Sequence, residues 1–555
     1  MRPPSPPLSS FGWAIAGALA LGLSFPPTSF YPLAWVALVP WIVRWRQATE
    51  IAPYAREIYA TVLVWSCVAG FWLLFHPSAG RALLGGLGIL LVPVPLALAF
   101  VVALAIRLRH GVTAGLLALV AHIVGIEFLL LHLPGGVPWL LLGHTQAAAS
   151  SFIQIAELGG VLIVSAWVLG INVLLALLVP RRAERVAAGA TFGARGLVIG
   201  AVALLIVLPV MYGAAMSANP DTPVGYARVG LVQPGVAPHT WEESDPADRV
   251  ETLANLSSTL LVRWRGGART AADTLSDSAL VRGYSSDGSL GTLIWPNAAL
   301  PDLGSEDKSA RLLARLASWS AHERVALLAG STIPAPPPTP VGPVSDARVR
   351  REEAERQPAS AALMVRTDRA PLRYDQMRRM PMADASVPRG SSRVLFPVGG
   401  ARLATAIGFE SVYGDHLRTF ARDGADAFVV MAQTGWWGRV GQSQHLAFTR
   451  FRAIETQRAL VVAGVGGGSA LVTPTGEIET LAGWMQPALV PLDVPLYRQA
   501  TVYTTYGDWP GRLALWLALA VYVGMGMLHL ARPHLTPEWR ERLWVTAPSK
   551  RPIRF

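Results

Sequence analysis

The 555-residue chain has a single cysteine, Cys67, inside an apolar run, and the long polar stretch from Ser217 to Trp509 has none. Disulfides within the chain are therefore excluded even if that stretch faces an oxidising compartment. Cys67 itself reads as a small apolar residue buried in a membrane span. Lysine is nearly missing from the same stretch: Lys308 is its only one, in a polar neighbourhood that marks a solvated position. The 11 histidines are scattered without ligand-like spacing, so no metal site is read. Internal repeats at solenoid or propeller periods are also missing. Low complexity is confined to Pro334–Pro343, followed by the charged run Arg348–Arg356. This reads as an exposed loop between two strands, with a Pro-rich protein-binding ligand as the alternative.

Positive charge is present in excess, +11 overall, but it is unevenly placed. Between Ser217 and Trp509 acidic and basic residues are equal in number, so the whole excess lies outside that stretch. A basic chain can signal nucleic acid. Here the arginines sit in short segments between apolar runs, which is the pattern of a polytopic membrane protein and excludes a nucleic-acid partner.

Runs of about 20 apolar residues are long enough to cross about 30 Å of hydrocarbon. Eight are read, near residues 9–25, 29–45, 57–76, 82–106, 111–132, 153–180, 196–216 and 511–531. Segments after the second, fourth and sixth carry Arg44, Arg46 and Arg56, then Arg107 and Arg109, then Arg181, Arg182, Arg185 and Arg195, whereas those after the first, third and fifth carry only Arg81. By the positive-inside rule both termini are cytoplasmic and the neutral stretch faces outward. A cleaved signal peptide competes for the first run, because Arg2 precedes a short apolar stretch. The short Pro-rich turn to the next run and the even count of spans favour a retained helix. The expected organisation is a seven-helix transmembrane region at 1–216, an extracytoplasmic domain at 217–509, an eighth span at 510–532 and a basic cytoplasmic tail at 533–555.

Within the outer domain, apolar runs rich in β-branched residues alternate with helix-like segments. YARVGLVQ, GTLIWP, RVALLAG, ARLATAIGFE, DAFVVMAQ and RALVVAGV read as strands, and Ala247–Trp264, Ala310–Ala321, Gly414–Asp423 and His445–Thr456 as helices. Regular alternation of this kind predicts an α/β domain with buried sheets covered by helices.

Local motifs go further. SFPPTSFYPLAWVALVPW, VPWLLLGHTQ, GLVQPGV, IWPNAALP, RYDQMRRMPMAD, AIGFESVYGD, AQTGWWGR and TTYGDWP follow one another along nearly the whole chain. In that order the sequence resembles the bacterial apolipoprotein N-acyltransferase family, eight membrane helices with a nitrilase-like αββα sandwich inserted before the last. The resemblance implies transfer of an acyl chain from a phospholipid onto the N-terminal lipidated cysteine of a lipoprotein, at the outer face of the inner membrane. It also implies a Glu-Lys-Cys triad and calls for no cofactor. A thiol at its free pKa is mostly protonated, so such chemistry needs the base and the positive neighbour as well as the nucleophile.

Carried over residue by residue, all three places are substituted. Asn297 follows the Trp-Pro where the family has its glutamate, Gln376 stands two residues after the tyrosine where it has lysine, and Gly408 precedes Phe-Glu where it has cysteine. Glycine offers no nucleophile, asparagine accepts no proton near neutral pH, and glutamine supplies no positive charge. Lys308 and Ser411 are poor replacements, the serine because it should point away from a tight turn. Retained positions are Glu410, Asp384 in place of a second glutamate, Trp436 and Trp437 beside the pocket, and Glu127 in the fifth span. Glu410 and the tryptophans are open to two readings, packing or an acyl-chain or headgroup site. An ionisable group at membrane depth is expensive, so Glu127 is expected to be functional or paired unless it reaches water at the span end. The expectation is an inactive family member that binds phospholipid or lipoprotein acyl chains or a protein partner; the alternative is an active acyltransferase with an altered mechanism.

Overall fold

The computed structural model describes residues 8–28, 30–76, 78–133, 136, 138–180, 192–218, 221–265, 291–303, 305–333, 360–366, 369–379 and 390–531. Pro334–Pro343, Asp384 and the basic tail from 533 lie outside the described residues. Two units are formed, one by Asp221–Thr504 and one by Met1–Pro220 with Thr505–Phe555.

In Asp221–Thr504, one six-stranded sheet has the order β12-β1-β2-β3-β4-β5 and the other β11-β10-β9-β8-β7-β6. The first contains β1 (Gly225–Gln233), β2 (Thr292–Leu300), β3 (Ala326–Ser331), β4 (Ala361–Val365), β5 (Leu372–Asp375) and β12 (Ala488–Leu496). The second contains β6 (Leu395–Val398), β7 (Ala401–Ile407), β8 (Ala427–Ala432), β9 (Leu460–Gly464), β10 (Ala470–Val472) and β11 (Ile478–Thr480). Strands β1-β2-β3 and β7-β8-β9 run parallel within their sheets.

Side-chain alternation explains why these segments are apolar nearly throughout. On β2, Ile294 joins a core shared with Phe428 and Val462 of the other sheet, while its neighbours Leu293 and Trp295 join Leu253, Leu260 and Leu316 on the opposite face. Leu328 and Leu327 divide in the same way on β3. Helices Pro246–Arg265 and Glu306–Glu323 cover that opposite face. A leucine fully buried in such a core contributes about 2 kcal/mol by transfer from water.

Four of the expected helices form close to where they were read, and three of them agree within a few residues. The fourth begins at Gly438 rather than His445. The added segment, GRVGQSQ, has two glycines and no apolar periodicity, so its helicity comes from tertiary context. Lys308 is exposed, as expected. Strands β4, β5, β6, β10, β11 and β12 are not among those read from the sequence; β5, β6, β10 and β11 have three or four residues, which carry too little period to detect.

In the membrane-type unit, five helical stretches are long and apolar enough to cross a bilayer among the described residues: Ile51–Phe75, Ala79–His132, Val161–Leu178, Arg195–Ala218 and Trp509–Ala531. The second is 54 residues long, about 80 Å at 1.5 Å per residue and far more than one crossing needs. It turns back at Gly111 (φ 89°, ψ 176°). A Cβ placed on Gly115 would lie 2.6 Å from Cβ of Arg107, an approach that eight residues of straight helix would not allow.

Among the described residues, the expected spans are not all single uninterrupted helices. Leu8–Leu23 is a 16-residue helix, and the expected span at 29–45 is broken into Tyr31–Leu33, Ala34–Ala37 and Val39–Gln47. Pro32 and Pro40 each remove a backbone donor. Asn172 fills the break: its Oδ1 accepts from the Leu38 amide at 2.9 Å and its Nδ2 donates to Ala34 O at 2.8 Å. Cys67 departs from the expectation. It is exposed on its helix rather than buried, because Thr61, Val62, Trp65, Ser66 and Ala69 make up the inward face.

Candidate functional site

Parallel strands bring their carboxyl ends to one edge of each sheet, and Gln376, Gly408, Glu410, Trp436 and Trp437 lie in the turns that leave strand ends there. Asn297 is in the last part of β2, Gln376 directly follows β5, Gly408 follows β7, and Trp436 and Trp437 follow β8. The two sheets present these ends on the same side: the Gly235 amide after β1 donates to Val465 O after β9 at 2.9 Å.

Gly408 begins a 3₁₀ turn, Gly408–Val412, and has φ +55°. A Cβ built there meets no atom within 4 Å. Glycine is favoured by the backbone conformation, then, and not by lack of room. Beside it, Gln376 is buried and donates through Nε2 to Ile407 O at 3.2 Å.

Asn297 is held by the irregularity of its strand. The register of β2 against β3 shifts between Trp295 and Leu300, and Ala298 takes φ +54°. Asn297 Oδ1 accepts from the Ala298 amide at 3.0 Å. Gly330 on β3 makes space for this bulge, since a Cβ there would come within 2.5 Å of Asn297 Cα. The structure thus brings Gln376 and Gly408 together, while no hydrogen bond joins Asn297 to either among the described residues.

Glu410 is 0 % exposed and its carboxylate is fully engaged. Oε1 accepts from Tyr374 Oη at 2.8 Å, the Met377 amide at 2.7 Å and the Arg378 amide at 2.9 Å, and Oε2 accepts from the Ile407 amide at 2.8 Å. His416 Nε2 lies 3.4 Å from the same carboxylate and 3.1 Å from Tyr374 Oη. Burial, and then the charge on Glu410, push the Tyr374 hydroxyl well above its ordinary pKa, so it remains a donor. With every strong donor in reach already taken, Glu410 ties the turn after β5 to the turn after β7.

Ser411 does not point into empty space. Its Oγ is 2.8 Å from Nε2 of His445 and donates to Gly408 O at 3.3 Å. His445 Nε2 is itself 3.3 Å from that carbonyl. Burial holds the imidazole down to about 4, against the opposite pull of the Gly408 carbonyl, so it is neutral at pH 7. Both side chains are buried. Trp437 closes this side, its ring centroid 6.4 Å from Phe409 and 5.8 Å from His445. Phe409 stacks edge-on to Tyr413, over whose ring the Arg378 guanidinium lies at 5.5 Å. Trp436 is half-buried in the same turn.

Glu127, in the membrane-type unit, is buried and accepts from the Leu142 amide at 2.7 Å. Ser165 Oγ accepts the next amide, Gly143, at 2.8 Å. Two helices thus supply acceptors to consecutive N–H groups of the 3₁₀ segment Leu142–Gln146, buried throughout. Glu127 is paired and does not reach water.

The sequence alone did not point to Tyr374 or His445 as partners. Tyr374 lies 36 residues from Glu410 and His445 lies 34 from Ser411, and no local spacing signals either pair.

A family model described as the apolipoprotein N-acyltransferase N-terminal domain matches residues 17–174. The chain is 26% identical over 541 residues to an apolipoprotein N-acyltransferase of Chlorobaculum tepidum, covering 91% of this chain and 94% of that one. It is 27% identical to the one of Gloeobacter violaceus, over 91% and 92% of the two chains. Among solved structures, an amidase from Nesterenkonia sp. AN1, described as from the nitrilase superfamily, aligns with 50% of this chain and 94% of its own at 17% identity and a TM-score of 0.33.

Proposed function

We propose that this chain, which belongs to the apolipoprotein N-acyltransferase family, is a membrane-embedded member that binds phospholipid or lipoprotein acyl chains without cysteine-dependent acyl transfer. The observation that carries the proposal is Gly408. It occupies the turn after β7 with its missing side chain directed at open space, at the place where the family resemblance puts the nucleophile. An acyl-enzyme has no atom to form on there. Gln376 and Asn297 add neither charge nor base. The turn is nonetheless fully built around Glu410, as expected of a site kept for binding. Eight crossings, counting the broken segment at 29–47 and both limbs of the turn at Gly111, remain the expected topology. The arginine distribution supports cytoplasmic termini and a nitrilase-like domain facing outward from the bacterial inner membrane.

Purified full-length protein, incubated with phospholipid and a diacylated lipopeptide, should retain bound lipid and give no N-acylated peptide by mass spectrometry. N-acylated product from the purified chain would sink the proposal.

A second reading, acyl transfer by another nucleophile, is favoured by the Ser411–His445 pair. In it Ser411 Oγ attacks the ester carbonyl as His445 takes its proton. The lysophospholipid leaves with that proton, and the lipopeptide amine then displaces the acyl group from serine. Ser411 is 0 % exposed, which weighs against it. Labelling by a fluorophosphonate that Ser411→Ala abolishes would favour this reading, and absence of label on the wild type would remove it.

A further inference from the structure

Among the described residues of Asp221–Thr504, the large apolar side chains exposed to solvent are Val224, Tyr226, Val262 and Val502. All but Val262 are close in sequence to a helix long and apolar enough to cross a bilayer. Val224 and Tyr226 soon follow Ala218, where Arg195–Ala218 ends, and Val502 soon precedes Trp509, where Trp509–Ala531 begins. The chain from Ala218 to Val224 reaches about 20 Å at full extension, so Val224 is tethered within that distance of a helix end.

Val224 and Tyr226 lie on one face of the β1 end. Side chains alternate along a strand, so positions 224, 226 and 228 point to one side, while Ala227 and Val229 point to the other and are buried in the core between the sheets. The neighbouring strand β12 continues the outer face: Tyr226 is opposite Pro495 and Arg228 is opposite Asp493, with Arg228 Nε 3.5 Å from Asp493 Oδ1. Val494 and Leu496, between these positions, are again buried. Val224 and Tyr226 are each 58 % exposed, whereas Arg228 is half-buried. Going away from the helix end, the face therefore presents an aliphatic group, then an aromatic ring with a hydroxyl, then an ion pair, at about 7 Å per step. The same gradation marks a lipid–water boundary, where tyrosine sits at the headgroup level with its ring toward hydrocarbon and its polar tip toward water. The ion pair adds no net charge, so attraction to anionic lipid is not what would hold this face in place.

We propose that the outer face at the start of β1, made by Val224, Tyr226 and Arg228 with Pro495 and Asp493 of β12, is a membrane-surface contact that seats the Tyr226 ring at the headgroup level of a bilayer. The partner is the lipid surface, and no residue of the candidate site takes part. The contact therefore does not rest on acyl-chain binding near Gly408.

Cys67 is the chain's one thiol, so the full-length Cys67→Ser protein can carry a single introduced cysteine labelled with the environment-sensitive fluorophore NBD. Labels at Val224→Cys, Tyr226→Cys and Arg228→Cys are compared with one at exposed Lys308→Cys, in phosphatidylethanolamine–phosphatidylglycerol vesicles that contain lipid with a nitroxide either on the headgroup or near the top of the acyl chain. The headgroup nitroxide should quench the Tyr226→Cys label about two-fold or more over the Lys308→Cys label. The acyl nitroxide should quench the Val224→Cys label more than the Arg228→Cys label, and raising the salt concentration should leave both patterns unchanged. Quenching at Tyr226→Cys no stronger than at Lys308→Cys would overturn the contact, as would equal acyl quenching at Val224→Cys and Arg228→Cys. A blue-shifted label that neither nitroxide quenches would show that protein, a second copy included, covers the face, and would overturn it too. Quenching that high salt abolishes would replace the apolar seating with an electrostatic one. Should Tyr226→Cys fail to fold, the Val224→Cys label decides by the acyl nitroxide alone. Lipid recovered with the purified protein tests the reading of the candidate site separately, since these quenching patterns persist or vanish whatever that measurement gives.

Discussion

Two buried carboxylates, Glu410 in the strand unit and Glu127 in the membrane-type unit, do similar work with unequal completeness. Each accepts backbone amides from a segment that is neither regular helix nor regular strand. Glu410 collects three amides and a tyrosine hydroxyl on both oxygens, whereas Glu127 takes one amide on Oε1 and has Ser165 as its other polar neighbour. The difference follows from where the donors come from. Turns after β5 and β7 both leave several amides unpaired at one sheet edge, and a single carboxylate can gather them. In a bundle of helices nearly all amides are spent internally, so side-chain acceptors find them only at breaks such as Leu142–Gln146 and the one Asn172 fills at Leu38. A carboxylate that gathers several backbone donors in this way is a fastening; one that holds a single amide depends on its surroundings more heavily.

Removing the fastening should have the largest effect. Glu410→Ala leaves four donors unmet, two of them buried and two partly buried, with an expected loss of about 4 kcal/mol, read as a large drop in thermal unfolding temperature or failure to accumulate. A variant that melts like the wild type would show that the four bonds carry little. His445 braces the same turn and should give a pH signature. Its folded pKa of about 4 lies below the ordinary 6.5, so the unfolded chain binds the extra proton first. Stability is therefore complete above pH 6.5 and falls as the pH drops toward 4, by about 3 kcal/mol in all. Melting curves of the wild type should steepen their decline across that window relative to His445→Gln; parallel curves would mean that His445 is not buried neutral. Glu127→Leu should cost less, about 2 kcal/mol, since one amide loses its acceptor while the expense of a buried carboxylate is also relieved. Equal losses for Glu127→Leu and Glu410→Ala would erase the contrast.

Much of the strand framework was legible in the sequence, and the reasons are physical. β1, β2, β3, β7, β8 and β9 are buried on both faces, so each appears as an apolar run bounded by turn residues. β5, with half-buried Leu372 and Arg373 beside Tyr374, has no such run. Prolines at 32 and 40 were visible, but that Asn172 would fill the break they make depends on a helix more than 130 residues away. At the candidate site, motif order singled out the positions of Asn297, Gln376, Gly408 and Glu410. It could not show that Glu410 would be occupied by Tyr374 and three amides, or that His445 would meet Ser411, because hydrogen bonding through space leaves no periodic trace. The burial of Cys67 was misjudged for a related reason. Which face of an all-apolar helix turns inward is decided by its neighbours, and a uniformly apolar run does not encode that choice.

The smallest effect expected is also the sharpest check on Gly408. Glu410 Oε2 holds the Ile407 amide, and this fixes the turn in which residue 408 must take φ +55°. A β-carbon there meets nothing within 4 Å, so Gly408→Ala should pay only for the left-handed backbone, about 1 kcal/mol. Its melting temperature should fall by a few degrees and its lipid binding should persist. A much larger loss would mean that the space beside Gly408 is filled, and the pocket read there would go with it. No loss at all would mean that the turn relaxes out of the left-handed region, and then the four bonds of Glu410 do not hold it as tightly as their number implies.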